Sequence, residues 1–385
     1  MLNIIVVGGG MIGAATALGL LRQGHRVTLI EQHLPEAFAP EQEPDIRMSA
    51  LSLNSVHLLD SLGAWSAIQN MRYQPYSRLT VFENARDEDA KTHFDAASIQ
   101  QQWLGYFVEN RITQLGLHAV LQEFASNLTW VTDSRIKAIN VQTGQVTLDN
   151  MEHLQADWII GADGSNSQVR QLAGIGQTGW QYGQQAMGII VKTPFTATHE
   201  TWQQFRPQGP IAYLPMYGSY AALIWYDQPA TLEQLLKLSD DGLLAQVGAT
   251  FGAQFNESVL INKARFPLTR SHANEYVKGR VVLIGDAAHT INPLAGQGVN
   301  IGFKDVETLL QVFATHHEPS NAALINQYQR PRRWANALMM TTMDAFYMGF
   351  SNDNPVLKLA RNAALKVADN AGVLKQQVLK YAVGL

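Results

Sequence analysis

The chain has 385 residues, of which 46% are hydrophobic and only 16% charged, and its formal net charge is −4. At roughly 150 residues per domain this is two to three domains' worth of chain, and the composition excludes disordered and collagen-like classes. The acidic balance argues against a nucleic-acid binder. The absence of cysteine excludes a disulfide framework, thiolate metal sites, iron–sulfur clusters and a thiol nucleophile.

Met1 to Leu21 carries no charge, but it is expected to be neither a signal peptide nor a spanning helix. No basic residue precedes it, and Gly8, Gly9, Gly10 and Gly13 interrupt any continuous helix. It reads instead as a strand over Ile4–Val7, a tight turn, and a helix from Met11. A second strand, Val27–Ile30, ends at Glu31. In Gly8-x-Gly10-x-x-Gly13 the first glycine makes the turn, the second admits a pyrophosphate and the third allows close helix–strand packing. The helix start, Met11 and Ile12 included, offers unpaired N–H groups to the anion. Glu31, eighteen positions after Gly13, is placed to accept hydrogen bonds from a ribose. This half of the pattern does not separate NAD from FAD.

Two later segments have the same strand–loop–helix grammar. Asp157–Ile160 leads into Gly161-Ala-Asp163-Gly164-Ser-Asn-Ser167-x-Val-Arg170, and Arg280–Ile284 leads into GDAAHTINPLAGQG, residues 285–298. Between them, Pro207–Tyr226 is uncharged and broken by Pro210, Pro215 and Gly218, so it reads as strands and turns.

These three motifs, in this order, resemble the class A flavoprotein aromatic hydroxylases with the p-hydroxybenzoate hydroxylase-like fold. The resemblance implies an α/β (α+β) architecture. A discontinuous Rossmann-type FAD-binding domain would use residues 1–75, 105–175 and 265–340, with an inserted mixed β-sheet substrate domain over 76–104 and 176–264. C-terminal helices would occupy 341–385. It implies FAD at the glycine turn and Glu31. Gly285 and Asp286 would lie beside the ribityl or ribose region, and Pro293, Gly296, Gln297 and Gly298 beside the isoalloxazine. The helix from Val299 and Asn300 would aim its N-terminus at the flavin N1–C2=O edge, where reduced flavin is anionic. Arg47, in Asp45-Ile-Arg47, is a flavin-contact candidate, and Arg111 and Gln114 fall where relatives contact the adenosine side. Asp163 is either a cofactor contact or a brace for its own loop. For His289, bracing the loop is favoured over shuttling protons.

The likeness covers the whole chain and points to the ubiquinone-biosynthesis hydroxylases through Leu104-Gly105-Tyr106, Val108-Glu109-Asn110, Thr201-Trp202-Gln203, Leu214-Pro215 and Ile224-Trp225. Asn292 departs from the commoner histidine. The implied reaction hydroxylates the ring of a polyprenyl quinol through a flavin C4a-hydroperoxide. It uses dioxygen and an external reductant such as NAD(P)H, with no metal and no assigned general base. Other ring positions, a flavin-dependent reductase, epoxidase or halogenase, and a non-catalytic prenyl carrier are the alternatives, although the halogenase Trp-x-Trp-x-Ile-Pro signature is absent. The expected location is cytoplasmic, with peripheral contact at the inner face of the membrane or with a biosynthetic complex. Apolar groove candidates are Pro210–Trp225 and the Met339–Met348 stretch, although apolar and Met-rich stretches of this kind are more often core than pocket. The segment 356–385 has five basic residues against one acid, and its stripe of Leu374, Val378 and Ala382 suits either lipid or a structural helix.

Overall fold

The computed structural model describes residues 1–83, 91–291, 298–316, 318–350 and 372–383; the side chains of 346–350, 373, 374, 378, 381 and 382 fall outside the description. Pro293, Gly296 and Gln297 therefore lie outside the described residues, as do the side chains of the Leu374–Val378–Ala382 stripe.

The chain opens with β1 (Asn3–Val7), α1 (Met11–Arg22) and β2 (Arg26–Glu31), followed by β3 (Met48–Ser52), α2 (Asn110–Leu121), β4 (Leu128–Thr132) and β5 (Trp158–Gly161). Four of the five β1 residues are buried, the near-continuous apolar run that a parallel strand covered on both faces requires. Parallel pairing orders the sheet as Val281–Leu283, β5, β1, β2, β4, with Val277–Lys278 as an antiparallel edge. The strand order reverses at β1, which opens a crevice beyond the carboxyl ends of β5, β1 and β2. Gly8 and Glu31 both stand there.

A second, eight-stranded sheet contains β6 (Gln177–Lys192), β7 (Ile211–Pro215), β8 (Tyr220–Asp227) and β9 (Val259–Ala273), and Arg78–Phe82 and Lys91–Asp95 close its far edge. Its two faces follow from the period-two alternation of strands. Met187, Ile189, Val191, Ile211, Tyr213, Leu223 and Trp225 point to one side, under helices Pro229–Lys237 and Asp240–Phe251. Their neighbours Ala186, Gly188, Ala212, Leu214, Ile224 and Tyr226 line a cavity on the other side. The expected groove segment Pro210–Trp225 is thus divided between the faces, and Trp225 belongs to the helix-covered one.

Three further helices bear on the site: α3 (Gly298–Thr315), α4 (Arg330–Phe350) and α5 (Val373–Val383). Met340 on α4 packs with Ile291 and Ile301, with Met339 and Met343 against them; none of these three methionines lines the cavity. On α5, Leu379 and Val383 are buried with Leu53, Ala96, Ile99 and Leu104. Among the described residues no helix is long and apolar enough to cross a membrane.

A buried ion pair ties these layers together. Glu109, at the end of the strand Gly105–Glu109 paired with β3, accepts two hydrogen bonds from Arg72, at 2.7 and 2.9 Å. The two side chains are 5% and 2% exposed. Arg72 also donates to the Glu43 carbonyl at 3.2 Å and to the Tyr217 hydroxyl at 2.7 Å, while Glu109 accepts the Asp45 N–H at 2.7 Å. Removing one partner of such a pair leaves a buried charge unanswered. Glu109→Gln is expected to lower stability by about 3 kcal/mol, seen as a lower urea midpoint at an unchanged m-value; an unchanged midpoint would refute the assigned role.

Candidate active site

The glycine turn after β1 is held from several directions. Gly8 sits at φ +99°, and a Cβ there would lie 2.5 Å from the Ala162 carbonyl oxygen; at Gly13 it would lie 1.8 Å from the Gly8 carbonyl oxygen. Both positions therefore exclude a side chain. The Gly9 N–H donates to Glu31 Oε2 at 2.6 Å, and His33 N–H donates to Glu31 Oε1 at 3.0 Å. At the next peptide, Gln114 Nε2 donates to the Gly9 carbonyl at 2.9 Å and His118 Nε2 does so at 2.7 Å. Because a carbonyl only accepts, the His118 proton is on Nε2. Burial lowers the His118 pKa below the ordinary histidine value, opposed by its bond to Gly9 and by Glu31. His118 was not singled out from sequence; its place one turn after Gln114 on the same face of α2 was the available signal.

At Gly10 the situation is reversed, since a Cβ would meet nothing within 4 Å. The start of α1 has no side-chain cap and no acidic residue in its first turn, so its first N–H groups face open space. That space belongs to a cleft of about 560 Å³ bounded by Gly8, Gly10, Glu31, Arg135, Asp163 and Gly164 among others. Met11 and Ile12 pack on the core, with Ile12 against Gly285 and Gly302. Arg111 forms an ion pair with Asp45 at 2.7 Å and reaches the Glu36 and Ala37 carbonyls. Its Nη2 is buried with no partner among the described residues.

The other two motif loops are braced internally. Asp163 accepts from Ser167 Oγ and from the Val169 N–H at 3.0 Å; burial raises its pKa, against these bonds. Asp286, in the turn Gly285–Ala287, is accessible to solvent but closely ringed by protein. That desolvation holds its carboxyl above the ordinary range, with His289 and Arg47 pulling the other way. Arg47 is exposed, its guanidinium 5.6 Å from the centre of the Phe266 ring. Gly298 begins α3, and Val299 packs on the core. The Asn300 side chain holds the Ala50 carbonyl at 2.8 Å, the Ser52 N–H at 2.9 Å and the Ser55 hydroxyl at 2.8 Å, so it is a clamp on β3.

Beneath the Gly285 loop lies a network that no motif announced. Asp305, fully buried on α3, accepts from His289 Nε2, from Arg332 Nε at 2.6 Å and from the Gly285 N–H at 3.2 Å. Burial alone would raise its pKa; His289 and Arg332 hold it below the usual range. Asn336 Nδ2 links Asp305 to the Tyr276 hydroxyl, which meets His272 at 2.7 Å. His289 is thereby fixed in the interior, as a loop brace should be.

The cavity on the open face of the second sheet measures about 470 Å³. Its lining is chiefly apolar, with Arg47 and Asn110 among the few polar members and Leu379 and Val383 of α5 contributing a wall.

A family model described as "FAD binding domain" matches residues 1–342, and the chain belongs to that family: it is an FAD-dependent monooxygenase of the aromatic-hydroxylase class. It is 44% identical over 388 residues to the 3-demethoxyubiquinol 3-hydroxylase of Escherichia coli (strain K12), covering 100% of this chain and 98% of the relative. It is 32% identical to the ubiquinone hydroxylase UbiL of Rhodospirillum rubrum, covering 99% and 89% of the two chains. The crystal structure of p-nitrophenol 4-monooxygenase PnpA from Pseudomonas putida DLL-E4 matches with a TM-score of 0.76 at 20% identity, over 100% and 97% of the chains. The PqsL monooxygenase of Pseudomonas aeruginosa matches at 0.78 and 18%, over 94% and 99%. Both share the fold.

The residues present fit FAD. Gly10 has open space where a Cβ would stand, room that a pyrophosphate would need, Glu31 keeps lone pairs for sugar hydroxyls, and the buried Arg111 Nη2 has no acceptor among the described residues. Gly10→Ala meets no protein atom but fills that room. It should leave the melting temperature of the flavin-free protein unchanged and weaken FAD at least about tenfold, or 1.4 kcal/mol, by flavin-fluorescence titration. Equal affinity for both proteins would refute the placement.

A pH prediction follows from His272, whose pKa is lowered to about 4 by burial and by repulsion from His289, Arg333 and Arg270. An unfolded histidine takes up its proton near 6.5, whereas the folded one waits until about 4. As pH falls between these values the unfolded state binds more protons, so stability declines. The stability difference between His272→Gln and wild type should shift in favour of the variant from pH 6.5 to 4. A constant difference would contradict this.

Proposed function

We propose that this chain hydroxylates the ring of a polyprenylated demethoxyubiquinol. The observation that carries the reading is the 44% identity to the Escherichia coli hydroxylase along the entire chain. The apolar cavity beside Arg47 supports it, because a prenylated quinol needs a chamber with few polar groups. On this reading residues 1–75, 105–175 and 265–340 form the FAD domain and 76–104 with 176–264 the substrate domain. Gly8, Gly10, Met11, Ile12 and Gly13 take the pyrophosphate, Glu31 and Arg111 the adenosine side, and Gln114 acts through Gly9. Arg47, Asp286, Gly298, Val299 and Asn300 border the flavin, the last through its backbone N–H.

When bound, FAD supplies the activation of dioxygen, drawing electrons from an external reductant such as NAD(P)H. The chain's own contributions are binding, orientation and exclusion of water. The start of α3 stabilises negative charge, Asn300 holds β3 against that helix, and Asp305 fixes the Gly285 loop. The quinol ring is already activated by its two oxygens, which is why no general base is assigned. A substrate that partitions into lipid, and a net charge of +4 over residues 356–385 (five basic minus one acidic), support peripheral contact with the inner face of the membrane.

The test is quinone profiling by mass spectrometry in cells lacking this protein, before and after the gene is restored. Demethoxyubiquinone should accumulate in its absence and disappear on restoration. Accumulation of an intermediate lacking a different ring hydroxyl would reassign the reaction to that carbon, and an unchanged profile would refute it.

A further inference from the structure

We infer that Leu379 and Val383 of α5 form the subsite that receives the first isoprene units of the substrate's tail, so that this helix sets the preference for prenylated over tail-less quinols. The inference rests on the proposed substrate and adds to it the residues that read the tail.

The cavity is bordered by separate small apolar clusters rather than by the main core. One contains Leu53, Ala96, Ile99 and Leu104 with Leu379 and Val383. Another contains Ala186, Tyr226 and Leu268, and a third Ile190, Met216 and Ala222 with Ile46 and Met48 packed against it. Clusters facing one another across a void stay separate because the void denies them mutual contact. Of the lining side chains, Leu79, Leu104, Leu379 and Val383 offer a ligand no polar atom, whereas Arg47 and Asn110 do, as do Tyr76, Gln203 and Thr201, the last with its hydroxyl already given to the Tyr213 carbonyl. A quinol ring buries two hydroxyl groups, each costly without a partner, so the ring belongs toward Arg47 and Asn110. A prenyl chain asks for no partner and suits the α5 wall.

Size agrees with this assignment. At interior packing density a non-hydrogen atom takes on the order of 20 Å³, so a cavity of about 470 Å³ holds roughly two dozen such atoms. A methylated, methoxylated quinol head uses about eleven of these places. What remains accommodates roughly two or three isoprene units, and the rest of a longer tail continues outside. Leu379 and Val383 are also the buried anchors of α5 among its described side chains. The same methyl groups that dock the helix are therefore those a tail would touch.

The test compares two demethoxyubiquinol substrates, one with two isoprene units and one without a tail, on the flavin-loaded enzyme. Leu379→Trp and Val383→Trp fill the subsite, Leu379→Met conserves its volume, and Gln376→Trp stands on the exposed side of α5. Wild type should favour the prenylated substrate by at least tenfold in kcat/KM. Each chamber-facing tryptophan should cut that preference at least tenfold, while the Met and Gln376→Trp variants retain it. Binding of the oxidised two-unit quinone, read by quenching of tryptophan emission, should weaken in parallel in the Val383→Trp and Leu379→Trp proteins and not in Gln376→Trp; circular dichroism melts check that α5 variants remain folded, and Leu379→Ala serves as the smaller probe if they do not. A wild type that turns over neither substrate overturns the proposed function and the subsite with it. Turnover of both with the preference unchanged in the tryptophan variants overturns the subsite alone.

Discussion

The backbone of Gly9 is the tie on which the cleft beyond β1 depends. Its N–H is taken by Glu31 and its carbonyl by Gln114 and His118, so three elements (β2, α2 and the β1–α1 turn) are fixed through one residue's backbone. The consequence is electrostatic as well as geometric. With both Gly9 groups answered internally and Gly8 N–H bonded to the Ile30 carbonyl, the donors left at the turn are those of the α1 start, which face the cleft. Glu31 serves twice: it braces the turn and still presents lone pairs toward the space where a sugar would lie.

The second sheet makes the apolar cavity by the same arithmetic that makes any half-covered sheet. Alternate residues of β6, β7 and β8 bury large side chains under two helices, and several of the intervening positions on the open face are small, Ala186, Gly188 and Ala212 among them. Shifting β7 or β8 by one residue would turn Tyr213 or Trp225 into the cavity and fill it. The chamber is thus maintained by register, and the antiparallel pairing of β6 with β8 over eight residues, Gln185–Lys192, keeps that register.

Much of this was legible in the amino-acid sequence, and the boundary of legibility is physical. Local signals survived: the glycine spacing after β1, Glu31 at the end of β2, and the two later strand–loop–helix segments all depend on neighbours within about twenty residues. The Arg72–Glu109 pair spans 37 positions and the Asp305 bonds span 16 to 31, in each case between separate elements and with no spacing rule, so they surfaced only with the fold. Asp305 stands between Lys304 and Val306 in an amphipathic helix and reads as a solvated charge; tertiary packing, with His289 from one side and Arg332 from another, makes it the most buried carboxylate of the site. The Met339–Met343 stretch shows the converse. Its composition suited a ligand groove, yet its described side chains close a small cluster with Ile291 and Ile301.

Asp305 also explains how the Gly285 loop can hold its shape although it is built largely from small residues. Gly285, Ala287 and Ala288 have little surface of their own with which to hold a conformation, and Gly285 sits at φ +60°. The loop therefore borrows rigidity from below. Its first N–H is bonded to Asp305, and His289 at its far side is bonded to the same carboxylate oxygen. A neutral acceptor in that position would bind both donors more weakly, since hydrogen bonds to an ionised group are about twice as strong. It would also leave the Arg332 guanidinium without its counter-charge. A buried carboxylate is costly, and here the cost is offset by the Arg332 guanidinium on one side and the His289 Nε2 hydrogen bond on the other. Through Arg332 and Asn336 the anchor extends to α4, so the loop, α3 and α4 form one braced unit while the face of the loop that carries Asp286 stays open to solvent.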